Sequence, residues 1–263
     1  MPVRTPAETL TAAHQAGLTK AAANRPAFNF ALSSTLAGAY IALGGVLSII
    51  IGFGFPTITA ENPGMQRLLS GAVFPIGLML VVILGADLFT GNNALLIPPL
   101  ASRSISPLGV ATNWILVWCA NFAGALIVAY FLVYLTDITA VQPYSDAVCR
   151  IGTAKVSASP WVVFLKGIGA NWCVCLAVWL ALSGRHLGEK LLACEIPVFA
   201  FVALGYEHCV ANMFFIPLAM MQGAPIGISE MFTANLLPAT LGNIVGGALF
   251  VGLPMTALYK RQS

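Results

Sequence analysis

Apolar runs poor in charge and long enough to cross a bilayer recur along the chain at residues 28–55, 68–84 with 88–100, 108–135, 158–183, 191–221 and 233–259. The pattern predicts six transmembrane helices and an all-α integral membrane protein. Two runs are interrupted by polar and helix-weakening residues. Gly85, Asp87, Asn92 and Pro98 in the second recur 120 positions later, shifted by at most one place, as Gly205, Glu207, Asn212 and Pro217 in the fifth. Asn113, Asn121 and Gly124 in the third run repeat with the same spacing as Asn235, Asn243 and Gly246 in the sixth. Each half then holds an odd number of spans, so the second half enters the membrane with opposite polarity. Such an inverted 3+3 repeat places a site near the midplane, between the halves. The expected organisation is an N-terminal helix within 1–27 and a channel region over 28–260, with halves at about 28–136 and 155–260.

The interruptions predict that helices two and five are broken. Pro75 and Gly77, then Gly85, weaken the second, and Gly205 weakens the fifth. Resumed half-helices aim unpaired amides and positive dipole ends at the membrane centre, which favours an anion. An acid at that depth is costly. Asp87 and Glu207, with Asn92 and Asn212, are read as structural support, the two acids capping the exposed amides. His208 invites a bland reading too, since a lone histidine in an apolar span is often a satisfied core residue. Its counterpart in the first half, however, is Leu88, and that asymmetry points to a task performed once. The asparagine pairs of runs three and six read as interhelical bonds or as pore lining, with packing preferred.

Composition agrees, because 59% hydrophobic and 8% charged residues leave too little polar surface to cover a soluble globule. Before the first run, Thr5, Pro6 and Glu8 read as a capping box opening an amphipathic interfacial helix that closes near Asn24 to Pro26. Arg4, Lys20, Arg25, Arg103, Arg185, Lys190, Lys260 and Arg261 fall on one side of the membrane, against Arg67 and Arg150 on the other. That places both termini in the cytoplasm of a multi-pass plasma (inner) membrane protein. Lys155 and Lys166, near or within the fourth run, stand outside this count. Five of the six cysteines read as small buried hydrophobes, and Cys149 alone is expected to face outward. A net charge of +3 gives no case for nucleic acid.

An intramembrane enzyme using Glu207 and His208 as acid and base is the competing class. No nucleophile, metal cluster or HExxH spacing accompanies them, so neither enzyme activity, metal nor cofactor is expected.

The segments GADLFTGN (85–92), KGIGANWCVCLAVW (166–179), GYEHCVANMF (205–214) and NLLPATLGNIVGG (235–247) resemble the formate/nitrite transporter family. The resemblance implies an aquaporin-like homopentamer in the lipid bilayer, each protomer passing a small monovalent anion: formate, or else nitrite or hydrosulfide, with possible participation of protons. It also implies site residues. His208 matches the family's central histidine, Thr90 and Asn171 its polar pore positions, and Lys155 its vestibule lysine. Phe74, Leu78, Phe89 and Phe201 fall at its constrictions. Pro75 departs from the family pattern there.

Overall fold

The computed structural model describes residues 3–21 and 25–259, which are helical between loops and carry one isolated antiparallel bridge, Val3 with Gly184. Among the described residues, five helix runs are long and apolar enough to cross a membrane: Ala27–Phe53, Pro63–Leu84, Pro107–Tyr134, Pro160–Ser183 and Ile228–Tyr259. The expected fifth run, 191–221, departs from that count. Its first part, Leu187–Leu204, carries Glu189, Lys190 and Glu195, and the chain leaves the helix at Gly205 before resuming as Cys209–Met221. The second run also stops, at Leu84, and resumes as Phe89–Leu95.

Both stops have the same local chemistry. Gly85 and Gly205 adopt φ of 74° and 70°, a left-handed conformation that costs glycine little and other residues more. The following amides fold back, Ala86 N–H to Val81 O at 2.9 Å and Tyr206 N–H to Phe201 O at 3.1 Å. Carbonyls at the helix ends are thereby satisfied before the chain turns inward.

Close helix contacts hold the two breaks in place. A Cβ on Gly124 would lie 1.9 Å from the Thr35 carbonyl oxygen, so the third run presses directly on the first. A Cβ on Gly242 would lie 2.1 Å from Phe164 O, and the last run presses on the fourth in the same way. Small residues permit such backbone approach in a membrane, where apolar side chains gain little by leaving lipid.

The N-terminal helix spans Pro6–Lys20. Glu8 Oε2 accepts the Thr5 N–H at 2.7 Å while Thr5 Oγ1 accepts the Glu8 N–H at 3.3 Å, a reciprocal capping box. The helix closes earlier than Asn24 to Pro26, because Ala21 turns extended while its N–H bonds Gly17 O at 3.0 Å. Asn24 lies outside the described residues, as do Lys260 and Arg261 of the charge count. Gly17 packs on the Leu95 carbonyl, so the helix lies across the end of the resumed segment Phe89–Leu95.

Three cysteines differ from expectation. Cys119 is exposed and Cys173 only half-buried, whereas Cys149 is half-buried with its sulfur 3.7 Å from Gln222 O.

Candidate functional site

Two cavities approach each other from opposite ends of the helix assembly. One, of about 300 Å³, is lined by Arg67, Phe74, Lys155, Lys166, Phe201, Glu207 and His208 among others. The other, of about 360 Å³, lies against the N-terminal helix and includes Lys20, Arg25, Leu78, Leu88 and Lys190. Between them sits a chamber of about 10 Å³, formed by Ile41, Phe74, Leu78, Leu88, Val174, Val198, Phe201 and His208. That volume is about one water probe. His208 contributes the single polar side chain among those eight. Phe74 meets Phe201 edge-on with centroids 5.8 Å apart, and Phe201 stacks on the His208 ring at 5.8 Å.

The backbone at each break is held by an asparagine from the opposite helix. Asn121 Oδ1 accepts the Phe89 N–H at 2.9 Å, while its Nδ2 donates to Ser34 O at 2.7 Å and Asp87 O at 2.9 Å. In the other half Asn243 Oδ1 accepts the Cys209 N–H at 2.9 Å, and its Nδ2 donates to Gly167 O at 2.8 Å and Glu207 O at 2.9 Å. Each amide side chain thus ties three backbone groups that lipid could not satisfy. The carboxylates of Asp87 and Glu207 do not cap the amides. Their side chains reach cations instead, because the asparagines already occupy the capping positions.

Those cations form matched sites. Glu207 Oε2 lies 3.0 Å from Lys155 Nζ and accepts from Asn212 Nδ2 at 2.6 Å. Asp87 Oδ1 lies 3.1 Å from Lys20 Nζ, and Oδ2 takes Arg25 Nη1 and the Ser33 hydroxyl. Asn235 Nδ2 donates to Lys155 O at 2.8 Å, as Asn113 Nδ2 does to Lys20 O at 2.7 Å. Asn92 Nδ2 donates to Asn113 Oδ1 at 3.0 Å, as Asn212 Nδ2 does to Asn235 Oδ1 at 2.7 Å. Lys20 therefore stands to the first half as Lys155 does to the second. Sequence reasoning missed it, because Lys20 precedes its acid by 67 positions and Lys155 by 52.

At His208 the two ring nitrogens have separate partners. Nδ1 accepts the Ala211 N–H at 3.1 Å, so the residue is the N-cap of the resumed helix. A nitrogen that accepts carries no hydrogen, so the neutral ring holds its proton on Nε2 and donates it to Thr90 Oγ1 at 2.9 Å.

The remaining predicted residues divide by position. Phe74, Leu78 and Phe201 line the chamber, and His208 lines both the chamber and the cavity that contains Lys155. Thr90 and Asn171 are fully buried and stand behind the chamber wall. Asn171 Nδ2 points at Thr90 O at 3.2 Å, Asn93 Oδ1 at 3.0 Å and Asn243 O at 2.6 Å, so its donors are spent on protein. Phe89 is core; its neighbour Leu88, in extended backbone, faces the chamber. Leu88, Val174 and Val198 carry no sequence signal that separates a chamber wall from ordinary packing.

The comparisons with known proteins bear on what such an arrangement is. A family model described as formate/nitrite transporter matches residues 7–257. A "Probable formate transporter" of Methanothermobacter thermautotrophicus is 41% identical, covering 87% of this chain and 88% of that one. "Formate channel FocA" of Escherichia coli (strain K12) is 36% identical over 98% of this chain and 95% of its own. Among solved structures, an "FNT family ion channel" superposes with a TM-score of 0.85 at 31% identity, covering 97% and 99% of the two chains. A "Pentameric formate channel with formate bound" gives 0.78 at 30% identity, covering 90% of this chain and 99% of that one. The all-helical architecture and its apolar spans thus match solved channels, and the chain belongs to the formate/nitrite transporter family.

Proposed function

We propose that this protein is a homopentameric plasma-membrane channel in which each protomer passes a small monovalent weak-acid anion, formate foremost, through the chamber at His208. One observation carries the reading: among the described residues, His208 is the sole polar side chain on a throat of about 10 Å³ between two wider cavities. Its protomer is read as an inverted repeat of six spans with the second and fifth broken and both termini in the cytoplasm. The matching asparagine and lysine sites of the two halves support that reading.

A bare carboxylate moving into a low-dielectric throat faces an idealised desolvation penalty of about 20 kcal/mol. Compensation must therefore be local. The Nε2–H of His208 turns from Thr90 Oγ1 to the anion, and the Lys155 ammonium, held at 3.0 Å by Glu207, marks the last polar station before it. Thr90 and Asn171 act by position: Thr90 holds the imidazole, and Asn171 holds Thr90. Phe74, Leu78, Leu88 and Phe201 exclude larger solutes. Delivery of a proton from the ring to the anion requires a second ring proton at Nδ1, which breaks the Ala211 bond. A proton carried with the anion would acidify the lumen of a vesicle; hydrogen-bonded passage alone would polarise its membrane.

Competition among formate, nitrite and hydrosulfide for one flux tests the substrate assignment. Formate with the highest affinity supports it, and a flux that formate does not inhibit overturns it.

A further inference from the structure

The cavity that contains Lys155 is lined by three cations, Arg67, Lys155 and Lys166, against one carboxylate, Glu207. Two of the four charges are spent on each other. Lys155 Nζ lies 3.0 Å from Glu207 Oε2 and 5.6 Å from the centroid of the Phe215 ring, and its carbonyl is tied to Asn235. Glu207 Oε2 also accepts from Asn212 and Asn235. As seen by an approaching anion, this pair is close to neutral.

Lys166 differs. It lies within the Pro160–Ser183 helix, about 9 Å along the axis from its first residue. Its backbone carbonyl receives the Glu207 N–H at 3.4 Å, which fixes the residue beside the second break. Among the described residues its ammonium has no acceptor, and the Arg67 guanidinium has none either. An unpaired lysine inside a membrane helix is expensive and is tolerated where it faces water or a passing ion. Here that place is the cavity whose floor is His208.

We infer that Lys166, assisted by Arg67, is a capture site for a small monovalent anion in this cavity, supplying the unneutralised charge that Lys155 cannot. The inference rests on the anion-channel reading above and adds a residue to it. Division of labour follows: Lys166 and Arg67 raise the local concentration of anion by their field, and Lys155 and His208 bond it in turn. Field effects of this kind change entry rates about tenfold or more at low ionic strength and fade as salt shortens the Debye length to about 3 Å at 1 M.

The test measures radiolabelled formate influx into liposomes holding wild type, Lys166→Gln, Lys166→Arg or Arg67→Gln, at low and at high ionic strength. Size-exclusion chromatography first selects variants assembled as wild type; Arg67 is exposed, so its variant keeps the test open should Lys166→Gln misfold. Expected at low salt is a rise of about threefold or more in half-saturation concentration for Lys166→Gln, with maximal flux within about twofold. Lys166→Arg restores the wild-type value, Arg67→Gln shows a smaller rise, and high salt removes the differences. An unchanged half-saturation in Lys166→Gln and Arg67→Gln at low salt overturns the inference while leaving the channel reading intact. A defect in Lys166→Arg equal to that in Lys166→Gln also overturns it, since packing would then be the cause. Wild type without formate flux removes the channel reading and the capture site together.

Discussion

His208 Nδ1 accepts the Ala211 amide hydrogen at 3.1 Å, so one side chain both caps the Cys209–Met221 helix and supplies the polar group of the throat. The two duties constrain each other. A second proton on the ring displaces that cap, at a cost of about 1 kcal/mol. In its resting state the ring is therefore a hydrogen-bond donor through Nε2.

Substitutions at this position separate the duties. Asparagine caps a helix well and alanine does not, so His208→Ala is expected to lose about 1 kcal/mol of stability that His208→Asn retains. Thermal unfolding of the two purified variants checks this. Equal loss in both would show that the cap contributes nothing.

The asparagine ties should be matched in strength as they are in geometry. Asn243→Leu removes the partner of the Cys209 amide and the Glu207 carbonyl and one of those of the Gly167 carbonyl; Asn121→Leu does the same to the Phe89 amide, the Asp87 carbonyl and the Ser34 carbonyl. Each orphaned buried group costs about 1–3 kcal/mol. Both variants are expected to unfold far below wild type by similar amounts, measured as the thermal midpoint. Tolerance of either would mean that its break is held by something else.

Leu78 and Leu88 lie in the chamber wall and in the adjoining cavity. Leu78→Ala removes the isobutyl branch, more room than the one methyl that separates acetate from formate, a discrimination usually worth about 1–3 kcal/mol in an apolar pocket. The ratio of acetate to formate influx should rise about tenfold. An unchanged ratio would place size selection elsewhere.

The N-terminal helix has a pH limit. The Thr5 backbone bond, with the Thr5 hydroxyl, holds the Glu8 carboxyl below its usual range. A lowered carboxyl stabilises the folded helix above its unfolded value, near pH 4.3, and loses that contribution as pH falls through the folded one. The protection factors of the Ala7, Glu8 and Thr9 amides should fall below about pH 4 in wild type, and a Glu8→Gln variant should lack the pH step. A step persisting in Glu8→Gln would assign it to another group.

The repeat was legible in the sequence because the groups that hold each break are polar side chains in an apolar background, at spacings that duplication preserves. Asn121 and Asn243 stood out for that reason. What their bonds are spent on was not legible. Thr90 and Asn171 are pore positions by the family resemblance, and only geometry shows Thr90 Oγ1 taken by His208 and the Asn171 amide hydrogens directed at protein. Asp87 and Glu207 look like caps until the asparagines are seen in that place. Phe89 falls at a constriction by the family resemblance, yet Leu88 is extended at the break and Phe89 begins the helix, so the two point into different surroundings. Lys20 was hidden by the unequal spacing of the two halves. Apolar lining such as Val174 and Val198 has no chemical mark at all.

The most direct test of the account is uptake of radiolabelled formate by liposomes holding wild type or His208→Asn, which preserves the cap and removes the imidazole. Loss of a hydrogen bond to a charged solute is worth about 1.5–3 kcal/mol, or roughly 10- to 100-fold in rate. The account predicts saturable uptake by wild type and a loss of at least about tenfold in the variant. Uptake by His208→Asn at the wild-type rate would contradict it.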